Sequence, residues 1–529
     1  MKKIFYLILV FLPLQALALD RQTAFRAMKD EMARAKTKLS MRGFAKPYFI
    51  TYNLQDDSKI TILGSLGALV ADDKTTNKLV YVNMRAGTSR FDNTGFGLPR
   101  PSAWITGDGY ASIRSSLWLA SDDAFSNALE MLSRKTAYKQ QRNITDTTPD
   151  FSSSPVVNLA EPRNTEVFDR AYFENVVRQM SAEGKNFPKL KKFVVTITFL
   201  DRQKYYADSE GSTYYQNPIA VDVSIAASLQ TKDGFDIDDV AETIYAAVKD
   251  VPAADDLIKS ARDYASKISA FYDAKKAESY IGPVWLDGVA AESFFDNIFT
   301  DKISNTKPYW KENDGEDRAA GSLTKMLGLR VISRFFNVFD DPTQVQFKGK
   351  TLSGFYRVDG EGVKAAKADL IARGKLIGLL TGRSLTENQK RSNGHARGDF
   401  LSVPRETPGN LFFIPTETRA DLKKAFLDEC KKQELEYCIK TSSYIGDTFN
   451  GYKVYVSDGR EEPIYGINAT LGARSLRDII YAGDDIKAYN NVPDFRPPYS
   501  IVTPSLVVGE VELKPTDKQP SRPPMVPKP

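Results

Sequence analysis

Residues 333–413 read SRFFNVFDDPTQVQFKGKTLSGFYRVDGEGVKAAKADLIARGKLIGLLTGRSLTENQKRSNGHARGDFLSVPRETPGNLFF. Short apolar runs alternate here with turn formers. Asp340-Asp341-Pro342 predicts a turn, because proline fixes φ and aspartate side chains bond nearby backbone amides. The run 356–363, YRVDGEGV, leads into a predicted helix that ends near Gly374. An apolar run at 376–380 follows, then Thr381-Gly382-Arg383-Ser384 and the segment Ser392-Asn393-Gly394-His395.

Outward from this stretch, the C-terminal side is strand-rich. Residues 453–456, 463–469 and 505–513 are strand candidates, with a turn at Asp458-Gly459-Arg460 between the first two. Residues 515–529 hold six prolines in fifteen positions and predict a disordered, extended tail. On the N-terminal side the composition changes at Tyr280-Ile281-Gly282-Pro283, where the domain boundary is expected. Before it, residues 237–249 and 254–280 predict helices broken at Pro252; Leu257, Ala261, Tyr264, Ile268 and Phe271 form a stripe on the second. Residues 192–207 and 219–231 predict a long hairpin around Asp208-Ser209-Glu210-Gly211. Residues 145–163 predict a linker, and 166–183, 121–141 and 21–39 predict helices. Three strands, 48–54, 59–70 and 78–86, are expected as an antiparallel meander turning at Asp56-Asp57 and Asp72-Asp73-Lys74, with a loop over 90–104.

The 529 residues are 42% apolar and 26% charged, ordinary globular composition with enough chain for several domains. Lys2-Lys3, the apolar run 4–14 and Ala16-Leu17-Ala18 have the pattern of a cleavable signal peptide over 1–18. The apolar run is shorter than the roughly 20 residues a membrane span needs, and no second span follows. The mature chain is therefore expected outside the cytoplasm, in a bacterial periplasm, with no transmembrane segment. Net charge is +5, and +3 without the two leader lysines, too balanced for a nucleic-acid groove. The only cysteines, Cys430 and Cys438, lie on a predicted helix (419–432) and the strand after it (435–441). An exported compartment permits a disulfide between them, with two buried thiols as the alternative.

The order DDPT, DxEGV, helix, apolar run, SNGH and VPR across 339–404 resembles the C-terminal domain of the TldD/PmbA family, the "modulators of DNA gyrase". The SEG turn at 209–211 and LRDIIYAGDD at 476–485 are similar to the family as well. The resemblance implies an α+β fold, with an N-terminal α+β domain (19–280) and a β-rich C-terminal domain (281–514) that build a cleft between them. It also implies a metallopeptidase relative. The family's active members have an H-E-x-x-x-H helix, in which two imidazoles one turn apart hold zinc and the glutamate serves as general base. The matching segment here is GPVWLDGVAAESFF, 282–295. Its two histidine positions fall on Asp287 and Ala291, or on Gly288 and Glu292, depending on a one-residue offset. The ligand cysteine expected after 485 is absent too.

The chain has one histidine and two cysteines, whereas a catalytic zinc takes three ligands, mostly imidazole or thiolate. No cofactor is therefore expected in this chain, and zinc is left to a partner subunit. Carboxylates such as Glu292 and Asp296, one helical turn apart, suit calcium or magnesium only weakly. No G-x-S-x-G elbow or Walker loop is present. The resemblance marks Asn393, Gly394 and His395 as residues that line a cleft and bind a peptide backbone. The expected role is a non-catalytic subunit paired with a zinc-bearing paralogue, or with itself, in peptide proteolysis. The alternatives are a peptidase with an unrecognised site and a stand-alone peptide- or envelope-binding protein.

Overall fold

The computed structural model describes residues 19–44, 46–96, 102–307, 310–311, 315–316, 323–387, 389, 391–398, 403–442, 448–469, 471–493 and 496–519. The expected leader, 1–18, lies outside them, as does most of the proline-rich tail. No helix among the described residues is long and apolar enough to cross a membrane.

The N-terminal half is built on one large sheet. Helix α1 (Arg21–Lys38) is capped by Asp20, which accepts from the Thr23 amide at 2.9 Å. Strands β1 (Pro47–Ser65) and β2 (Ala68–Thr88) form one long hairpin, not the expected three-stranded meander. The aspartate pairs read as turns lie within strands because neighbours satisfy them. Asp57 pairs with Arg202 at 2.8 Å, and Asp56 accepts from the Leu19 amide at 3.0 Å. The chain reverses at Leu66-Gly67 instead, both at positive φ (49° and 80°). The expected loop over 90–104 contains two short strands, Phe91–Asp92 and Ser102–Trp104.

Helix α2 (Tyr110–Gln141) begins well before residue 121, and α3 spans Arg170–Ala182. Strands β3 (Leu190–Asp208) and β4 (Ile219–Gln230) pair as expected, with the short strand Thr213–Gln216 between them. Residues 237–249 are not a helix: β5 (Asp236–Tyr245) adds to β4 as the sheet's edge. Its burial alternates, Ile237 and Asp239 inward, Asp236, Asp238 and Val240 outward, the period of a strand. Helix α4 (Ala254–Ala270) ends ten residues before 280. On β3, Phe193, Val195, Ile197 and Phe199 pack under α3 and α4, while Tyr205 and Ala207 pack under α1 and α2. Odd-numbered residues of one strand share a face, so all four helices cover the same side.

The C-terminal half has its own apolar core, from Ala277 to Leu513. Strand β6 (Tyr280–Leu286) leads into α5 (Gly288–Ile298), and β7 spans Phe336–Asp340. The helix expected to end near Gly374 does not form. Gly362 stands at φ 78°, and the Asp359 carboxylate accepts the amides of Glu361 and Val363, both at 2.9 Å, which makes a tight turn. The chain then enters strand β8 (Ala368–Ala372), paired with β7. Next come β9 (Asn410–Pro415), α6 (Leu422–Lys432), β10 (Tyr437–Thr441), β11 (Thr448–Tyr455), β12 (Glu461–Ala469), β13 (Lys487–Asn491), β14 (Tyr499–Thr503) and β15 (Leu506–Pro515).

Strands β12, β11, β10, β6 and β15 pair in that order, and β12 also pairs with β15, which closes a five-stranded barrel. A second sheet runs β8-β7-β9-β14-β13, so β13 is its edge. Helix α5 packs between barrel and sheet, with Phe295 stacked on Phe413 at 3.7 Å. Cys430 on α6 and Cys438 on β10 are disulfide-bonded, Cα atoms 6.2 Å apart. The tail expected from 515 begins later: Thr516 is buried and its amide donates to Gly466 O at 2.8 Å.

Candidate functional site

Edge strands β5 and β13 approach each other above α5 and bound a groove of about 460 Å³. The helix supplies Val289, Glu292, Ser293, Asp296 and Asn297, which recur at the spacing of one helical face. The opposite face, with Ala290, Ala291, Phe294 and Phe295, is in the core. Strand β5 adds Glu242 and Ile244, β13 adds Tyr489, Asn490 and Asn491, and Lys350 closes one side.

Glu292 is the buried acid of the groove. Its Oε1 accepts from Asn491 Nδ2 at 2.9 Å. Burial, opposed by the Asn491 bond and reinforced by Asp296 and Glu242, pushes its carboxyl up to about 7. Asp222, on β4 behind Glu242, is pushed up to about 7 by burial and by Glu242. Glu292 is therefore part-protonated near neutrality and can give or take a proton there.

Asn490 joins the walls. Its Nδ2 donates to Ile244 O at 3.2 Å and to Thr351 O at 2.9 Å; its Oδ1 accepts from the Ser353 amide at 3.1 Å and from Ser500 Oγ at 2.8 Å. One amide thus ties β5, β14 and the segment after Lys350, with both donor hydrogens and both acceptor sites used.

The sequence-derived residues divide. Glu292 lines the groove. Gly288 lies under Tyr489, whose hydroxyl would stand 1.8 Å from any Cβ added there, so a larger residue has to displace that ring. Asp287 occupies the N-cap position of α5, half-buried, and Ala291 is wholly in the core. Asn393, Gly394 and His395 lie elsewhere, inside the C-terminal half. His395 is fully buried, with Nε2 3.0 Å from Asp340 Oδ1 and Nδ1 2.9 Å from Asn393 Oδ1. Gly394 (φ 76°) packs against Lys364 O, and Asn393 Nδ2 donates to Leu379 O at 2.9 Å. Both ring nitrogens of His395 therefore face oxygens of the fold and none is turned to a cleft. Glu242 is hidden because 237–249 reads as a helix, and Tyr489 to Asn491 because nothing within that short run marks it as a sheet edge. The polar stripe on α5 was the legible signal.

The donors do not fit a zinc ion. The sole imidazole is locked to Asp340 and Asn393, both thiols are in a disulfide, and the groove offers carboxylates, amides and a phenol. Among the described residues no three His, Cys, Asp or Glu side chains are placed to hold a metal.

A second polar region seals the two halves together. Arg85 is buried and donates to Asp92 at 3.0 Å and Glu361 at 3.4 Å. Arg383 donates to Glu210 at 2.9 Å and, through its amide, to Glu361 at 2.6 Å. The two guanidinium groups lie 3.8 and 4.0 Å from the ring centre of Phe151. Asp150 binds Lys135 at 2.7 Å and Lys307 at 2.8 Å.

An α+β half joined across a groove to a barrel-and-sheet half is a fold shared with solved structures. One, a modulator of DNA gyrase from Thermotoga maritima, is 13% identical and superposes with a TM-score of 0.61 over 92% of this chain and 99% of its own. TldE from Thermococcus kodakarensis is 11% identical, with a TM-score of 0.60 over 92% and 100%. A modulator of DNA gyrase from Bacteroides thetaiotaomicron is 12% identical, with a TM-score of 0.56 over 93% and 98%. No curated protein matches the sequence. Residues 281–514 match the profile of the PmbA/TldA metallopeptidase C-terminal domain. Residues 281–514 therefore form a domain of the TldD/PmbA family.

Proposed function

We propose that this chain is an exported, non-catalytic member of the family that holds an extended peptide in the β5–β13 groove, while a zinc-bearing paralogue supplies the metal. The observation that carries this reading is the donor chemistry of the groove. The helix that would present two imidazoles to zinc presents Glu292 and Asp296 instead, and the chain's only imidazole and thiols are engaged elsewhere. Two edge strands facing one another suit an extended chain, since unpaired edges offer backbone donors and acceptors to any sequence. The partner would be a paralogue carrying H-E-x-x-x-H, or a second copy of this chain, in a dimer. Co-expression with such a paralogue, pull-down and zinc analysis test the reading. The expected result is a complex with zinc and peptide cleavage, and neither in the isolated chain. Stoichiometric zinc and cleavage by the purified single chain would overturn it.

A second reading has one observation in its favour. Glu292, held near 7 in a groove, has the protonation behaviour of a general acid or base. On that reading the isolated chain cleaves peptides without added metal, and Glu292→Gln abolishes the cleavage without lowering the thermal midpoint.

A further inference from the structure

The outer edge of β13 is occupied by the chain's own lysines. Lys348 Nζ donates to Ile486 O at 3.0 Å, and Lys350 Nζ donates to Ala488 O at 3.1 Å. On its other side β13 pairs with β14, Ala488 opposite Val502 and Asn490 opposite Ser500. Carbonyls two residues apart in a strand point to the same edge, about 6.8 Å along it. The two ammonium groups therefore stand where successive amides of an added strand would donate.

Both lysines belong to a minimal hairpin, Gln346–Phe347 paired with Lys350–Thr351, which joins no larger sheet. Its turn, Lys348-Gly349, has φ of 47° and 82°, a reversal that costs a lysine more than a glycine. Its root is fixed: Leu352 is buried against Phe412, Ala488 and Val502, and its amide donates to Val345 O at 2.9 Å. Its tip meets β13 through the lysine–carbonyl bonds. A two-residue ladder is marginal by itself, so the tip can lift while the root stays anchored.

Resting on the reading of the groove as a peptide site, we propose that β13 is the strand that pairs with peptide. Ile486 O and Ala488 O are its acceptors, and the 346–351 hairpin is a latch that keeps this edge closed until peptide displaces the two lysines. The occupant is an extended backbone of any sequence with free amides at alternate residues.

The full chain and a Lys348→Met, Lys350→Met double variant, which keeps the aliphatic stems and removes the charges, are compared by fluorescence anisotropy. The probe is a short, labelled, uncharged peptide of alternating valine and threonine. A latch closed about ten times in eleven predicts roughly tenfold tighter binding to the double variant. The same peptide N-methylated at alternate residues should lose binding to both chains. Lys29→Met, exposed on α1 of the N-terminal half, controls for general charge, and matching denaturation midpoints control for folding. Unchanged or weaker binding by the double variant overturns the latch and leaves the groove reading standing. Equal tightening by Lys29→Met also overturns it. No binding by either chain overturns the groove reading and the latch with it.

Discussion

Two polar regions lie between the halves of this protein, and they are organised in opposite ways. In the sealed region four acids have a cation in contact: Asp92 and Glu361 at Arg85, Glu210 at Arg383, Asp150 between two lysines; Glu406, beside Glu361, is bonded instead by Thr306 and the Gly382 amide. In the groove Glu292 has an amide partner, and its nearest charged influences are two more acids. The contrast separates cement from workplace. A compensated buried network fixes geometry, whereas an uncompensated acid beside an open volume is kept at some cost in stability and is available to a ligand.

The sharpest way to break the comparison is to remove a cation from the sealed side. Arg383→Met or Arg85→Met leaves buried carboxylates unpaired and should cost about 3–5 kcal/mol in urea unfolding. A loss below about 1 kcal/mol would mean that the network does not join the halves. His395→Leu should behave as a change to the same kind of buried framework. It takes one partner from Asp340, which keeps the Gly409 amide, and one from Asn393, which keeps that of Thr381, and should cost about 2–3 kcal/mol, with no change in the metal content of any complex with a paralogue.

On the groove side the sign reverses. Glu292 has its folded pKa raised from 4.5 to about 7. Below about pH 4.5 both states are protonated and the group has no effect on unfolding. As pH rises, the unfolded chain releases the proton first, so stability falls until the folded carboxyl ionises near 7 and is level above it. Glu292→Gln, which keeps the acceptor for Asn491, removes that decline. It should unfold about 1–3 kcal/mol less readily than the wild type at pH 8, with no difference at pH 4. Equal pH slopes in the two proteins would place Glu292 in ordinary solvent. The smallest effect belongs to Lys487→Ala at the exposed rim, where the thermal midpoint should move by less than the equivalent of about 0.5 kcal/mol.

What could be read in advance follows from where each signal is local. The helix over 21–39, the β3–β4 hairpin and the strands around Asp458-Gly459-Arg460 rest on periodicity and turn chemistry within a few residues, and the fold keeps them. The α+β architecture was legible only through the family resemblance of the motifs at 339–404. The errors arose where distant residues decide. Asp56 and Asp57 look like a turn until Leu19 and Arg202 are placed beside them. Residues 363–374, rich in Ala and Lys, look helical, yet β7 recruits 368–372 as a strand. Residues 237–249 carry both periods, and the open edge of β4 selects the strand. That last error also hid one wall of the groove. The helix side was visible in the spacing of Glu292 and Asp296, but the facing strands were not, because no pattern within either segment records that they meet.

Asn490 carries a consequence for motion. Because one carboxamide bridges the edge of β5, the last residue of the 346–351 hairpin and the strand behind β13, the gap between the strands has a fixed gauge, set by the length of a single side chain. Widening the aperture means parting that amide from Ile244 or Thr351, so the halves cannot drift apart gradually. On the reading of the groove as a peptide site, a guest thicker than a lone strand enters only once one of those bonds is broken.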